Sequence, residues 1–352
     1  APAPPDEPRA ETGLEATRQD VSSALRPACR ARRLLLQGSG ELVGESCGVA
    51  VSAPRVALGL VVAVLLAGGA LLLWAPWLER LYGGEGPTRT ANLEARRTPA
   101  DPRLTLVLLA HHDSKSQSLT LPFRAGLTLL ALVGGMSLAL LLSAMALGQG
   151  WPGNERLALV LGGTAALALG ALATIRNGNL SPGGVDNAGS LGILLELAHR
   201  LPAVMPQDVE LIFLSPGAEE DHMVGAMRWL DRNLDSFAGR PLFALNLDGA
   251  GIPGRVTLLE RYGAGRLFSP HLSKKLRQVA ASLDIPVRGV LLPPAMGVDA
   301  IPFAHRGIDC VTLASGSLGR ASLAVHSAGD RAENLDEKAL AQAARLAAEV
   351  LV

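Results

Sequence analysis

The chain has 352 residues, 49% of them apolar but only 3% aromatic, and its 32 Lys and Arg balance 32 Asp and Glu. That apolar share exceeds what a water-soluble enzyme of this size carries, so part of it is expected in lipid. Zero formal charge leaves no basic footprint for nucleic acid, and Cys29, Cys47 and Cys310 match no Cys/His zinc spacing, which argues against a structural zinc module.

In chain order, residues 1–55 read as an N-terminal tail and helical segment. About the first ten residues, Pro-rich and acidic, form a flexible tail without the apolar stretch of a signal peptide. An uncharged run over 56–78, between Arg55 and Glu79 and ending near Trp74 and Trp77, is long enough for a bilayer, which takes about 20 residues. Gly68 and Gly69 leave a re-entrant hairpin as the alternative for that run. Residues 104–110 (LTLVLLA) predict a buried strand. Two further uncharged runs, 125–147 and 157–175, flank the turn-like loop GQGWPGNER and predict a transmembrane hairpin inserted over 125–175. Three transmembrane helices are therefore expected, making the chain an integral membrane protein. Because two spans separate His111 from Asp186, the chain returns to the side it left and residues on both flanks can share one site. Lys115, Arg124 and Arg176 on that side, against Arg156 in the short loop, favour a cytoplasmic site, while the balanced charges around the first run leave the sidedness open.

After the hairpin, helices are predicted over 187–201, 222–234, 271–283 and 337–351, and strands over 209–215, 242–247 and 308–314. This alternation predicts an α/β domain, a mostly parallel sheet flanked by helices, assembled from 84–119 and 179–352.

Charged motifs recur around these strand ends, where an open α/β sheet presents its ligands. AHHDSKS places His111 and Asp113 so that the imidazole can face a metal while the carboxylate supports it. GGVDNAGS puts Asp186 at a helix start, where capping is the ordinary use of Asp. GAEED carries Glu219 and Glu220, adjacent carboxylates that repel unless a cation or proton balances them. One could ligate a metal while the other serves as general base, and a solvated acidic helix start is the plain alternative. NLDGAG supplies Asp248, and VHSAGD supplies His326 with Asp330 four residues later. Hard oxygen and imidazole donors in this order suit a zinc pair. The GxGxxG of Gly249, Gly251 and Gly254 lacks the following helix of a dinucleotide fingerprint, and HExxH, P-loop and GxSxG motifs are absent.

The ordered series HHD, GVDNAGS, GAEE, NLDGAG, HSAGD resembles the M28 family of dinuclear zinc peptidases, over about residues 90–350 without the hairpin. The resemblance implies a zinc exopeptidase-like fold holding two Zn2+ per chain. His111 and Asp248 would lie on one zinc, Glu220 and His326 on the other, and Asp186 would bridge them. It further implies Glu219 as general base and Asp113 as the group that orients His111. Two departures stand out: the hairpin occupies a stretch where many members have a short loop, and Val325 stands where some have a Tyr. The expected function is a membrane-anchored, zinc-dependent exopeptidase, an aminopeptidase, that hydrolyses peptide bonds with a water activated by two zinc ions. Its partners are a peptide substrate and the lipid bilayer. A glutaminyl-cyclase-like zinc enzyme and a non-catalytic membrane scaffold are the rival readings.

Overall fold

The chain is described by a computed structural model that covers residues 13–23, 33–44, 53–73, 76–79, 88–293, 296–316 and 319–352. The predicted flexible tail and Trp74 lie outside these residues.

Strand β1 (Glu15–Ser23) and helix α1 (Pro54–Leu72) precede β2 (Thr88–Arg97) and β3 (Leu104–Leu109). A two-residue strand, β4 (Ser116–Gln117), leads into α2 (Leu121–Ala146) and α3 (Asn154–Ala173), and β5 (Asn177–Gly178) closes that excursion. Then follow α4 (Gly189–Val204), β6 (Val209–Ser215), α5 (Val224–Asn233), β7 (Leu242–Leu247), β8 (Val256–Tyr262) and β9 (Arg266–Leu267). The chain ends with α6 (Pro270–Ser282), β10 (Val287–Leu291), α7 (Ala300–His305), β11 (Asp309–Ser315), α8 (Arg320–Ala324) and α9 (Glu337–Leu351).

Nine strands form one sheet in the order β1-β2-β6-β3-β7-β11-β8-β10, with β9 on β8. Its centre, β6-β3-β7-β11, is parallel, and β1, β2 and β8 join antiparallel. The central strands are continuous apolar runs because helices cover both faces. Along β3, Leu106 and Leu108 enter one core with Ile193, Leu197 and Leu346, while Val107 and Leu109 enter the other with Trp229 and Phe303. This alternation is the two-residue period of a strand. Glu210, buried in β6, is balanced by Arg240 at 2.6 Å and accepts a hydrogen bond from the Thr105 hydroxyl at 2.7 Å.

The strands expected over 209–215 and 242–247 and the helix over 337–351 lie where predicted. Helix α4 starts at Gly189 instead of 187, because Asp186 and Asn187 have non-helical backbone angles. Helix α5 likewise starts late, since His222 and Met223 have φ of 71° and 60°. Strand β1 was not anticipated: EATRQDVSS is a polar, largely exposed edge strand with no apolar period to betray it.

Of the three expected spans, two have helices of the length and hydropathy that a bilayer crossing takes. Among the described residues, Leu121–Ala146 and Asn154–Ala173 are long and apolar enough to cross a membrane, and only 28% of each apolar window is buried. The run over 56–78 is not one helix: α1 ends at Leu72, and a separate turn covers Pro76–Leu78. Helix α1 packs against the hairpin in a separate apolar cluster, Ala57 and Val61 with Leu138, Leu142 and Ala165. Gly134 and Gly135 let these helices approach closely, against Ala165 and Leu65 respectively. At the hairpin's foot β4 pairs with β5, Ser116 opposite Gly178, so both legs begin and end at one place.

Candidate metal centre

The parallel strands deliver their C-terminal ends to one edge of the sheet. His111 follows β3, Glu219 and Glu220 follow β6, and Asp248 follows β7. The ligand-presenting crevice of an open α/β sheet lies at such an edge. Asp186 arrives from the loop ahead of α4 and not from a sheet strand, and His326 comes from beyond α8 with φ of 63°.

All of these side chains converge. Nε2 of His111 lies 3.1 Å from Asp186 Oδ1, 3.9 Å from Asp248 Oδ1 and 4.0 Å from Glu219 Oε2. Nε2 of His326 lies 3.2 Å from Asp186 Oδ2 and 3.0 Å from Glu220 Oε2. The two carboxylate oxygens of Asp186 therefore face one histidine each. Two groups of donor atoms result, His111 with Glu219 and Asp248, and Asp186 with Glu220 and His326, the atoms of each within 4.8 Å of one another.

Backbone contacts hold these groups in place. The carbonyl oxygen of Asp113 meets Nδ1 of His111 at 3.0 Å, while its carboxylate accepts the N–H groups of Glu219 and Glu220, both at 3.1 Å. Asp113 thus orients the imidazole through its main chain and the glutamate pair through its side chain. Asp330 is fully buried and accepts from the N–H of Val185 at 2.7 Å, which fixes the loop that carries Asp186. Asn187 donates to Leu247 O and accepts from Gly249 N, tying that loop to the one that carries Asp248. Gly184 is required here because a Cβ would overlap the backbone of Arg331.

The electrostatics are those of a crowded anionic cavity. Burial opposes a charge on His111, but Glu219, Asp113, Asp186 and Asp248 outweigh it and hold the imidazolium well above its usual range. Burial would raise Asp186, yet the two histidines keep it far below the usual carboxylate range. Burial, reinforced by Asp248, Asp299 and Glu220, pushes Glu219 well above its ordinary value, and burial also raises Asp248. The donor set is oxygen and imidazole in two compact groups, and Nε2 of His111 is buried without a hydrogen bond of acceptable geometry. Such a set fits a pair of zinc ions.

Three residues at the centre were not singled out by the sequence. Asp299, ahead of α7, is fully buried, caps nothing, leaves both oxygens without a hydrogen-bond partner, and is pushed up to about 8 by burial. Its sequence setting is that of any helix cap. Lys115 sits 3.0 Å from Glu220 Oε2, and Arg124 contacts His326 Nδ1 at 3.2 Å. Both read in the sequence only as charges flanking a membrane span. The predicted decoys behave as expected: Gly249, Gly251 and Gly254 lie between β7 and β8, with a strand following.

Residues 164–351, more than half of the chain, match the model of Peptidase family M28. The chain belongs to peptidase family M28. The matched segment contains Asp186, Glu219, Glu220, Asp248 and His326 but starts after His111 and Asp113, which only the fold connects to the rest. Aminopeptidase YwaD of Bacillus subtilis is 28% identical over 173 residues, 47% of this chain and 36% of YwaD. Among solved structures, BSAP, a zinc aminopeptidase from Bacillus subtilis, aligns over 76% of this chain and 50% of its own, with 18% identity and a TM-score of 0.51. LapA aminopeptidase of Legionella pneumophila aligns over 92% of this chain and 71% of its own, with 10% identity and a TM-score of 0.51. At these identities the structural likeness is one of fold. In this chain the apolar hairpin of α2 and α3 lies between His111 and Asp186.

Proposed function

We propose that this chain is a membrane-anchored, zinc-dependent aminopeptidase. The observation that carries the reading is Asp186, whose two oxygens face the imidazoles of two separate donor clusters 3.1 and 3.2 Å away. His111 and Asp248 would hold one zinc, Glu220 and His326 the other, with Asp186 shared. When bound, such a pair supplies Lewis acidity to a peptide carbonyl and lowers the pKa of water.

The chain's own groups do the rest. Glu219 is the general base: its carboxylate, beside His111 and Asp248, takes the proton of the attacking water and returns it to the departing amine. Asp113 fixes the backbone of Glu219 and Glu220, so the base and its neighbouring ligand keep their spacing. YwaD and BSAP, to which this chain is similar, are aminopeptidases. This supports attack on the N-terminal peptide bond. Exposed apolar residues on α2 and α3, Leu140 and Leu167 at 71% and 78%, support lipid as their surroundings. The foot of the hairpin adjoins the site, since Gln117 N–H donates to His326 O at 2.9 Å, so substrate is cleaved close to the membrane surface.

The test is metal content and aminoacyl-amide hydrolysis of detergent-purified chain, side by side with Glu219→Gln. Two zinc ions per chain and release of free N-terminal residues are expected, with turnover about 10²- to 10⁴-fold lower in the variant at unchanged zinc content. Normal turnover by Glu219→Gln would sink the assigned mechanism, and loss of an N-terminal amine without peptide cleavage would point to cyclisation instead.

A further inference from the structure

His111 and His326 stand on opposite sides of Asp186, yet their outer partners differ in charge. Behind His111, Nδ1 meets an oxygen of Asp113, with that residue's carboxylate 3.7 Å away. This is how ligating imidazoles are ordinarily supported: an oxygen takes the second ring N–H and raises the basicity of the ligand. Behind His326 stands a guanidinium, Arg124 Nη2 at 3.2 Å from Nδ1. A guanidinium can only donate. As a hydrogen bond, the contact uses the Nδ1 lone pair of a neutral ring, whose hydrogen then sits on Nε2, the nitrogen that faces Asp186 and Glu220. Ligation through Nε2 needs the opposite tautomer, with an N–H aimed at Arg124. The two arrangements exclude one another.

Glu220 is engaged in the same way. Lys115 Nζ lies 3.0 Å from Oε2, the oxygen that His326 also approaches at 3.0 Å, and the Lys115 backbone N–H donates to Oε1 at 3.2 Å. The Lys115 side chain is only 20% exposed, so water screens its charge poorly. No comparable cation touches His111, Glu219 or Asp248 among the contacts of the described residues.

We infer that Lys115 and Arg124 are built-in competitors of the metal at Asp186, Glu220 and His326, so that this ion is held more weakly than its neighbour and displaces Arg124 when it binds. The inference rests on the two-metal reading of the site. Arg124 is in the first turn of α2, so the weaker position answers to the foot of the hairpin. Both residues act through the ligands and are positioning residues.

Metal-free full-length chain in detergent, titrated with zinc against a chromophoric chelator, tests this. The wild type is expected to take two ions in two separable steps. Lys115→Met and Arg124→Gln should each tighten the weaker step by about 10- to 100-fold, the range over which outer partners tune metal affinity. The tighter step should not move, and Lys115→Arg, which keeps the charge, should leave the weaker step weak. Gln at 124 can accept from Nδ1–H and so restores the ordinary support of a ligating histidine. A weaker step that is unchanged or weaker still in both charge-removing variants, or two steps that shift together, overturns the inference. If Lys115→Met does not fold, Arg124→Gln at its half-buried position decides alone. A wild-type chain that never takes a second ion removes the two-metal reading and this inference with it, whereas two ions with unaltered affinities remove the inference only.

Discussion

Strand β3 and helix α2 are built from the same kind of side chain and end in opposite surroundings. In β3, Leu108 and Leu109 are completely buried between helical layers, whereas in α2, Leu129 and Leu140 are 62% and 71% exposed. The difference is one of length and neighbours. Six residues of β3 are covered on both faces by helices that the rest of the domain supplies, and the strand's rigid end delivers His111. The 26 residues of α2 outrun any cover that α1 and α3 provide, and at a rise of 1.5 Å per residue they reach roughly 39 Å, enough to cross a bilayer. Apolar surface of this extent is a liability in water and an ordinary solvent match in lipid.

Equal truncations should therefore have unequal effects. Leu109→Ala empties a fully buried position and should destabilise the α/β domain by about 2–5 kcal/mol, whereas Leu140→Ala on the outer face of α2 should change it by less than about 0.5 kcal/mol. Denaturant unfolding in detergent, followed by circular dichroism, reads both, and comparable losses would break the distinction. The next largest effect is on insertion. Val133→Arg, at a 54% exposed position near the middle of α2, should raise the cost of membrane integration by about 2.5–3.5 kcal/mol. A glycosylation-tag insertion assay measures this directly. An integrated fraction that Arg at 133 leaves untouched would show that α2 does not lie in lipid.

The same contrast explains what the sequence made legible. Strands β6 and β7 are readable because VELIFLS and LFALNL are compact apolar runs bounded by turns, and the candidate donors are readable because each motif follows such a boundary or a helix start. The order of five mediocre motifs carried more information than any of them. What escaped were contacts made across long sequence separations. Arg124 and His326 are 202 positions apart, and nothing local to either suggests the other. Asp299 looks like a helix cap until the fold shows that it caps nothing. The run over 56–78 looks continuous because hydropathy averages over residues without registering that α1 stops at Leu72 and a separate turn covers Pro76–Leu78.

Asp299 gives the most selective test, because the hairpin helix α2 contains no carboxylate and should contribute nothing to pH dependence. Burial pushes Asp299 up to about 8 in the folded chain, against roughly 3.9 for an unfolded Asp. Between those values the folded state keeps a proton that the unfolded state has lost. The contribution to stability is thus fully present below about pH 4, is lost as pH rises toward 8, and is constant beyond it. Asp299→Asn keeps a neutral side chain at every pH and escapes that loss. In metal-free protein the two chains should unfold alike near pH 4, and the variant should gain steadily to more than about 1.4 kcal/mol by pH 8, the worth of one pKa unit. Melting temperatures recorded across this range suffice. A gap that stays constant from pH 4 to 8 would mean that the Asp299 carboxyl is ionised in the fold and balanced by a partner.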